Sequence, residues 1–184
     1  MKILVACILA VVFLFSATAQ AQQKTKVEEP QYIFVFHYLD SAGKLLPLEK
    51  QTPKITSKIS MLGYGGASSG YEFTGGTSSV RFKSGDPIEI IVRGMSADID
   101  PSDMIAIVAL KSKKDKRSIT LTKIGTMGMS TKTKDAFEQS FSFTTSKYGD
   151  GSLKIKPDKL APGEYAVVSK ISQYYFLFGI DSVK

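Results

Sequence analysis

Tryptophan and asparagine are absent from this 184-residue chain, and cysteine and histidine occur once each, at Cys7 and His37. A chain without asparagine has no N-glycosylation sequon. A single cysteine permits no disulfide within the chain, so the fold is not a disulfide-stapled scaffold. With one histidine and one cysteine, a transition metal would also lack its usual ligands. We therefore expect no cofactor and a fold that its core stabilises.

The N-terminal segment has the pattern of a cleavable signal peptide. Lys2 supplies a positive charge, and an uncharged apolar run extends from Ile3 to Phe15. Small residues then recur at every second position, at Ala17, Ala19 and Ala21. Cleavage after Ala19 or Ala21 fits the small-x-small rule. The alternative is a transmembrane anchor, which needs about 20 apolar residues, and this run is shorter. We therefore expect export to the periplasm or the extracellular space, with no transmembrane segment after cleavage.

Cys7 lies inside this apolar run, where Leu4-Val5-Ala6-Cys7 resembles the lipobox of a bacterial lipoprotein. A lipobox follows the apolar run, whereas this run continues beyond the cysteine, so lipidation is not expected. The mature chain would then contain no cysteine. Together with the missing sequon and the small-x-small site, this favours a bacterial exported protein.

The chain is basic, with a formal net charge of +7 at pH 7. A modest basic excess favours anionic partners without specifying one. The partners that remain open are an anionic envelope component, a glycan or another protein.

Alternation of apolar and polar residues with a period of two dominates the chain, which is typical of β-strands. The clearest segments are 32–39, 54–61, 104–110, 137–143, 164–171 and 174–181. We predict about nine strands, no amphipathic helix, and an antiparallel β-sandwich of jelly-roll or immunoglobulin-like topology. The predicted organisation is a signal peptide at 1–21, a flexible leader at 22–30 and a single domain at 31–184.

Residues 63–79 are rich in glycine and serine, which predicts a mobile loop. Tyr64, Tyr71 and Phe73 lie in this segment, and aromatic side chains on loops are common binding anchors. These three residues are therefore a candidate ligand loop. The alternative is that the aromatic rings fold back onto the sandwich.

A basic run at 111–117 separates two apolar segments and predicts a long charged loop between antiparallel strands. Its five cations are Lys111, Lys113, Lys114, Lys116 and Arg117. They could contact a phosphate-rich ligand such as a lipopolysaccharide core or a nucleic acid. The run has no interleaved aromatic residues, so it lacks the stacking half of a single-strand binding site. The alternative is a solvated turn.

Two motifs suggest catalysis but are incomplete. Gly66-Ala67-Ser68-Ser69-Gly70 matches the G-x-S-x-G nucleophile elbow, which needs a following helix and a later histidine. No helical pattern follows Ser68, and His37 precedes it. We therefore interpret Ser68 as a chance match and His37 as a half-buried histidine bonded to the backbone.

Carboxylates leave two further possibilities open. Asp98, Asp100 and Asp103 could gather a calcium ion, although their spacing lacks the glycine and the distal glutamate of an EF-hand loop. The alternative is a turn that Asp100 initiates before Pro101. A glycan hydrolase would need only two carboxylates in one cleft, and Glu72, Glu89, Asp98 and Asp100 are candidates.

Segments in the second half of the chain resemble those of small secreted bacterial β-domain proteins that end in a PGEYA strand and an FGID strand. The segments are RFKSGDPIEIIVR at 81–93, KSKKDKR at 111–117, LAPGEYAV at 160–167 and FGID at 178–181. The resemblance implies a β-sandwich and export, and it carries no activity and no site residues. The leading hypothesis is thus a non-enzymatic exported protein for binding or envelope assembly, and the alternative is a carboxylate-dependent hydrolase acting on glycans.

Overall fold

The described residues form an antiparallel β-sandwich of two sheets, which confirms the predicted fold class. The computed structural model describes residues 27–59, 66–94, 100–124, 131–133 and 137–183. In chain order their strands are β1 (His37–Leu39), β2 (Leu45–Pro47), β3 (Glu49–Gln51), β4 (Lys54–Ile59), β5 (Ala67–Thr74), β6 (Arg81–Lys83), β7 (Ile90–Arg93), β8 (Ile105–Ser112), β9 (Lys116–Ile124), β10 (Thr131–Thr133), β11 (Phe143–Tyr148), β12 (Ser152–Pro157), β13 (Gly163–Ser169) and β14 (Tyr175–Asp181). A four-residue helix, α1 (Pro101–Met104), and a 3-10 turn (Phe137–Gln139) are the helical elements of these residues.

One sheet has five strands in the order β11-β12-β7-β1-β2. The other has nine strands, follows the path β3-β14-β13-β8-β9-β5-β4, and curls into a half-barrel. Two short strands lie off that path, because β10 pairs with β9 and β6 pairs with β14 in parallel. The described strands number fourteen rather than about nine because five of them are only three residues long.

An inter-sheet core fills the space between the two sheets. Its buried members are Phe36, Leu48, Phe82, Ile90, Val92, Ile105, Ile107, Ile155, Tyr165, Val167, Phe176, Phe178 and Ile180. Phe36 and Phe176 join the sheets directly, with ring centroids 5.1 Å apart. Burial of such large apolar side chains provides the main driving force for folding.

A second core, the inner core, lies on the concave side of the half-barrel. Its buried members are Phe73, Ala106, Val108, Leu110, Ile119, Ala166, Val168, Tyr175 and Leu177. In β8, Ile105 and Ile107 enter the inter-sheet core while Ala106 and Val108 enter the inner core. Successive side chains of a strand point to opposite faces, so a strand covered on both sides is apolar throughout. This explains why β8, β13 and β14 contain long apolar runs.

The nine-stranded sheet bends where β9 separates from β8. These two strands pair only near the hairpin, at Lys111 with Ser118 and at Ser112 with Arg117. Farther along, Ile107 of β8 bonds instead to residues 140 and 141, whose hydroxyl and amide groups lie 3.0 and 2.7 Å from its backbone. Strand β9 is therefore free to turn with β5 and β4 over the inner core.

The two edge strands of the curled sheet, β3 and β4, are consecutive in the sequence, so a short connection links the two edges. Only Thr52 and Pro53 separate them. The side chain of Gln51 closes the remaining gap to β5: its Nε2 donates to the Thr74 carbonyl at 3.0 Å, and its Oε1 accepts from the Thr74 amide at 2.9 Å. This pair of bonds replaces a backbone ladder and closes one end of the half-barrel.

The predicted strand at 32–39 is wrong for its first half. Tyr32 and Ile33 are 65% and 48% exposed, and Phe34 has a positive φ of 53° that breaks the extended conformation. Only β1 belongs to the sheet, together with the fully buried Phe36 just before it. Here Phe34 donates its amide to the Arg93 carbonyl at 3.1 Å, so the segment runs along β7 instead of crossing the sheet as a full strand.

Two further expectations are wrong. The glycine- and serine-rich stretch predicted as a loop contains β5 at residues 67–74, because pairing with both β4 and β9 supplies the order that its composition lacks. The segment 137–143 is not a strand, since it begins with a 3-10 turn and then crosses the edge of β8. The strands predicted at 104–110, 164–171 and 174–181 are confirmed as β8, β13 and β14.

Candidate functional site

A fully buried guanidinium, that of Arg117, lies at the closed end of the half-barrel. Its Nε donates to the Gly75 carbonyl at 3.0 Å, and its Nη2 donates to the Thr74 carbonyl at 2.9 Å. Nη2 also donates to Glu49 Oε1 at 2.7 Å, while Nη1 lies 3.6 Å from Glu164 Oε2. Proteins tolerate a buried charge when it is both paired and hydrogen-bonded, and this one is both.

Glu49 is held ionised by this arrangement. Its Oε2 accepts from Ser78 Oγ at 2.6 Å and from the Ser79 amide at 2.8 Å. Burial disfavours the charged form, but the hydrogen bonds from Arg117, Ser78 and Ser79 outweigh it and lower the pKa of Glu49 to about 2. The carboxylate therefore cannot serve as a general acid near neutral pH.

The second glutamate extends the group of charges towards the surface. Glu164 accepts from the Ser78 amide at 2.9 Å and pairs with Arg81, which also pairs with the exposed Asp181. We call the set of charged residues that meet here the closed-end ion network, consisting of Glu49, Arg81, Arg117, Glu164 and Asp181. Each of its three carboxylates is paired with one of its two guanidinium groups, so the network holds strands together and offers no unpaired group to a ligand.

The half-barrel is open towards the other end of β13. There a cleft of about 460 Å³ lies between β4 and the β13–β14 turn. We call it the open-end cleft, and its lining residues are Thr52, Pro53, Ile55, Tyr71, Leu121, Val168, Ser169, Lys170, Ser172, Gln173 and Tyr175. Ligands commonly bind in the mouths of β-barrels, and sites for small molecules have volumes of roughly 300–1,000 Å³.

The open-end cleft has an apolar floor and a polar rim. Tyr71 and Tyr175 meet edge to face on the floor, with ring centroids 5.6 Å apart, and Leu121 and Val168 lie beside them. Side chains of serine, threonine, glutamine and lysine surround them at the rim. On the β4 side, Ile55 borders the opening and is 81% exposed. An apolar floor with a few polar groups is typical of a binding site.

The structure separates the five cations of the predicted anion-contact loop. Lys111, Lys113 and Lys114 are exposed at a tight β8–β9 hairpin. Lys116 is half-buried and bonds to Glu72 with both distances at 3.0 Å. The expectation that Arg117 lies on an exposed loop is wrong. Arg117 is the second residue of β9, and its side chain is fully buried. Anion contact by the three exposed lysines stays a prediction.

The predicted ligand loop is likewise divided. Tyr64 lies outside the described residues, while Tyr71 and Phe73 lie in β5 and not in a loop. Phe73 is a buried member of the inner core, with its ring 5.1 Å from that of Tyr175. Tyr71 is half-buried and lines the open-end cleft, so it is the one described member of the trio on a cleft surface.

Two of the carboxylates considered for hydrolysis, Glu72 and Glu89, are engaged in ion pairs within their own sheets. Glu72 on β5 pairs with Lys116, whose hydrogen bonds lower the pKa of that carboxyl. Glu89, before β7 in the other sheet, pairs with Lys154 and Lys156 at 2.7 Å each, and these bonds lower its pKa. Neither glutamate lines the open-end cleft. Two carboxylates of a glycosidase need a shared cleft, and the open-end cleft does not bring these two together.

The aspartate cluster forms a helix cap in its described part. Asp100 accepts from the Ser102 amide at 2.9 Å and from the Ser102 hydroxyl at 2.8 Å, so it caps α1 as the turn interpretation predicts. Asp103 is exposed on α1, and Asp98 lies outside the described residues. The described residues contain no group of three or more potential metal-ligating side chains.

Neither Ser68 nor His37 is placed for catalysis, as the sequence predicted. Ser68 lies within β5, in register with Lys58 and Lys123 on its two neighbours, and no strand-to-helix turn exposes it. His37 lies in β1 of the other sheet, and its Nδ1 is 3.1 Å from the Val35 carbonyl. The interpretation of His37 as a half-buried, backbone-bonded histidine is confirmed.

No protein-family model matches this chain, and no curated protein matches its sequence. The resemblance to secreted bacterial β-domain proteins thus stays a prediction. Within the described part of the chain, no helix is long and apolar enough to cross a membrane.

Sequence reasoning missed most of the residues that line the open-end cleft. Leu121, Val168 and Tyr175 have the pattern of ordinary core residues, since their strands alternate or are apolar throughout. Tyr71 carried a signal, because it was a member of the predicted ligand loop, and Ile55 lies in a segment where apolar and polar residues alternate. Which end of the half-barrel stays open depends on pairing between distant strands, and a local pattern does not report it.

Proposed function

We propose that this protein is a non-enzymatic binding protein that takes an apolar group with a polar end into the open-end cleft. The observation that carries the proposal is the open mouth of the half-barrel, with Tyr71 and Tyr175 on its floor and polar side chains at its rim. Burial of an apolar group there would contribute about 25 cal/mol for each Å² removed from water.

The chemistry of the lining supports binding more than catalysis. The described residues that line the open-end cleft include no carboxylate, histidine or cysteine. Their polar groups are hydroxyls, an amide and one ammonium group, which orient a ligand through hydrogen bonds. General acid–base catalysis most often uses histidine or a carboxylate, and a serine or threonine nucleophile needs an adjacent base to activate it.

We also propose that the protein is exported and processed. The signal-like pattern that ends at Ala19 or Ala21 supports this, and its residues lie outside those that the structure describes. Mass spectrometry of the exported protein should find a mature N-terminus at Gln20 or Gln22. An exported chain that keeps Met1, or one that carries lipid on Cys7, would contradict the proposal.

The binding proposal is tested with the fluorescent probe 1-anilinonaphthalene-8-sulfonate, which joins an apolar ring system to an anionic group. The mature protein should bind the probe at a single site, and Tyr71→Leu should weaken that binding at least fivefold. Stacking on an aromatic side chain is worth about 1–3 kcal/mol for a flat ring, which is sufficient for this change.

Tyr148→Leu is the matched control, because Tyr148 is also half-buried but lies in β11 of the other sheet. It should leave the affinity for the probe unchanged. Circular dichroism on each variant checks that the fold is intact, since the probe also binds partly unfolded chains. No saturable binding, or an equal loss in both variants, would refute the cleft as the site.

A further inference from the structure

We infer that the natural occupant of the open-end cleft is an extended protein segment that adds to β4 as a further strand, with apolar and acidic side chains in alternation. The inference rests on the proposed function, because the apolar side chains of that segment would enter the cleft. It adds the class of ligand, the edge that receives it and the charge that selects it.

Strand β4 ends the nine-stranded sheet. Its inner edge pairs with β5 over six residues, from Lys54 opposite Glu72 to Ile59 opposite Ala67. Among the described residues, none pairs with its outer edge. An unpaired edge presents a row of N–H and C=O groups, and an extended peptide can satisfy them by adding a strand.

The concave face of β4 is apolar and exposed. Ile55 and Ile59 are each 81% exposed, although they lie beside the inner core. Across β5 and β9, the same face continues with Ala67 and Ile124 next to Ile59, and with Tyr71 next to Ile55. A strand added along β4 would place every second side chain on this face, at the border of the open-end cleft.

The opposite face of β4, β5 and β9 is basic. Lys54 and Lys58 project from β4 on the side away from the isoleucines, and Lys123 lies in register with Lys58 across Ser68. Glu72 is the one acid in β4, β5 and β9, and it already pairs with Lys58 at 3.4 Å and Lys116 at 3.0 Å. An added strand therefore meets excess positive charge on this face, and cross-strand pairs of opposite charge are favourable.

These lysines disfavour a second copy of the chain as the occupant. In an antiparallel two-fold pairing of β4 with itself that keeps the isoleucines on one face, Lys54 and Lys58 of both copies gather on the other face, where their like charges repel. A slip of one residue avoids this only by placing each isoleucine beside a lysine of the other copy. Lysine on an edge strand is a common guard against self-pairing, and it does not act against an acidic strand.

The direct test uses the mature protein, labelled with ¹⁵N, and an acetylated, amidated heptapeptide of alternating glutamate and valine. We expect the backbone amide signals of residues 54–59 to shift on titration, together with those of Tyr71 and Tyr175. Two further peptides carry N-methyl groups on alternate amides, one on the set that faces β4 and the other on the set that faces solvent. If the peptide adds as a strand, methylation of the amides that face β4 should abolish binding, and methylation of the amides that face solvent should not.

The charge requirement is tested by Lys54→Glu combined with Lys58→Glu. This variant should bind the glutamate–valine peptide at least tenfold more weakly and should gain affinity for a lysine–valine peptide of the same length. The gain shows that the variant is folded and that charge selects the partner. The matched control, Lys113→Glu combined with Lys114→Glu at the β8–β9 hairpin, should leave the affinity for both peptides within twofold of the wild type.

The outcomes separate this inference from the proposed function. If the naphthalene probe binds in a Tyr71-dependent way but the glutamate–valine peptide does not bind, the inference is wrong and the cleft remains a binding site. Binding that survives both N-methylation patterns would overturn strand addition in the same way. A dimer that forms through β4, detected by sedimentation and by shifts at residues 54–59, would make a second copy the occupant. If neither probe nor peptide binds, both proposals fail.

Discussion

At the scale of single residues, the closed end of the half-barrel depends on one guanidinium that two glutamates share. Arg117 is fully buried, and its contacts reach β3, β13 and the segment after β5. Elimination of this charge would leave the carboxylate of Glu49 without a cation, while Glu164 would keep only its pair with Arg81. An uncompensated buried charge is among the most costly changes a fold can undergo.

Arg117→Gln should lower the free energy of unfolding by about 3–5 kcal/mol, the range measured when one partner of a buried ion pair is removed. Lys114→Gln, at the exposed hairpin two residues before β9, should change it by less than about 0.5 kcal/mol. Urea denaturation of both variants measures the difference. Equal stabilities would mean that Arg117 is solvated and that the closed-end ion network does not exist.

Glu49 makes the stability of the fold dependent on pH. Its pKa of about 2 in the folded protein lies below its ordinary value of 4.5, so the folded state binds its proton less tightly than the unfolded state does. The stability from Glu49 is thus fully present above about pH 4.5 and is lost as the pH falls towards 2. In Glu49→Gln the decline in stability over this window should be shallower than in the wild type. The exposed Glu138→Gln should keep the wild-type slope, and a Glu49→Gln profile parallel to the wild type would contradict the assignment.

The role of Arg117 could not be predicted from its surroundings in the sequence. It ends a run of cations, and such runs are ordinarily solvated. Its partner Glu49 lies 68 positions away and becomes a neighbour only after β3 and β9 take their places in the curled sheet. His37 and Asp100 were predictable, because their hydrogen-bond partners lie two residues away.

At the scale of elements, β5 shows how close packing orders a glycine-rich segment. The register between β5 and β9 shifts between Ser69 and Gly70, and this irregularity brings Gly70 against the backbone of β9. A Cβ atom on Gly70 would overlap the Ile119 carbonyl oxygen. Glycine is therefore needed here for a close approach of two strands, and not for a flexible loop.

Gly70→Ala should destabilise the protein by about 1–3 kcal/mol, as overpacking of a fitted interior does. The effect should also loosen Tyr71, the next residue, and so weaken binding of the naphthalene probe. Gly94→Ala is the control, because a Cβ there meets no atom within 4 Å. It should be neutral within about 0.5 kcal/mol. Thermal unfolding of the two variants measures the difference, and a neutral Gly70→Ala would disprove the close approach.

Strands could be predicted where their own residues carry the signal. β8, β13 and β14 contain long apolar runs because both of their faces are covered, and all three were predicted. β5 was missed because its order comes from two neighbouring strands. The segment 137–143 alternates as a strand would, yet it crosses the edge of β8, where Ser140 and Phe141 bond to Ile107. Tertiary contacts overrode the local pattern in both places.

At the scale of the whole molecule, the fold combines a sandwich with a half-barrel that shares one of its sheets. The inter-sheet core and the inner core lie on opposite faces of β8, β13 and β14. The fold class followed from the strand pattern, whereas the curl and its open mouth did not. They depend on the β3–β4 corner, the Gln51–Thr74 bonds and the separation of β9 from β8, none of which leaves a periodic signal.

We expect this protein to bind its ligand in the open-end cleft. The most direct measurement is a map of ¹⁵N chemical-shift changes in the mature protein as 1-anilinonaphthalene-8-sulfonate is added. We expect the largest changes on residues that line the cleft, among them Tyr71, Leu121, Val168 and Gln173. If the largest changes fall on the β8–β9 hairpin lysines or beside Phe34, or if no signal shifts at saturating probe, the open-end cleft is not the binding site.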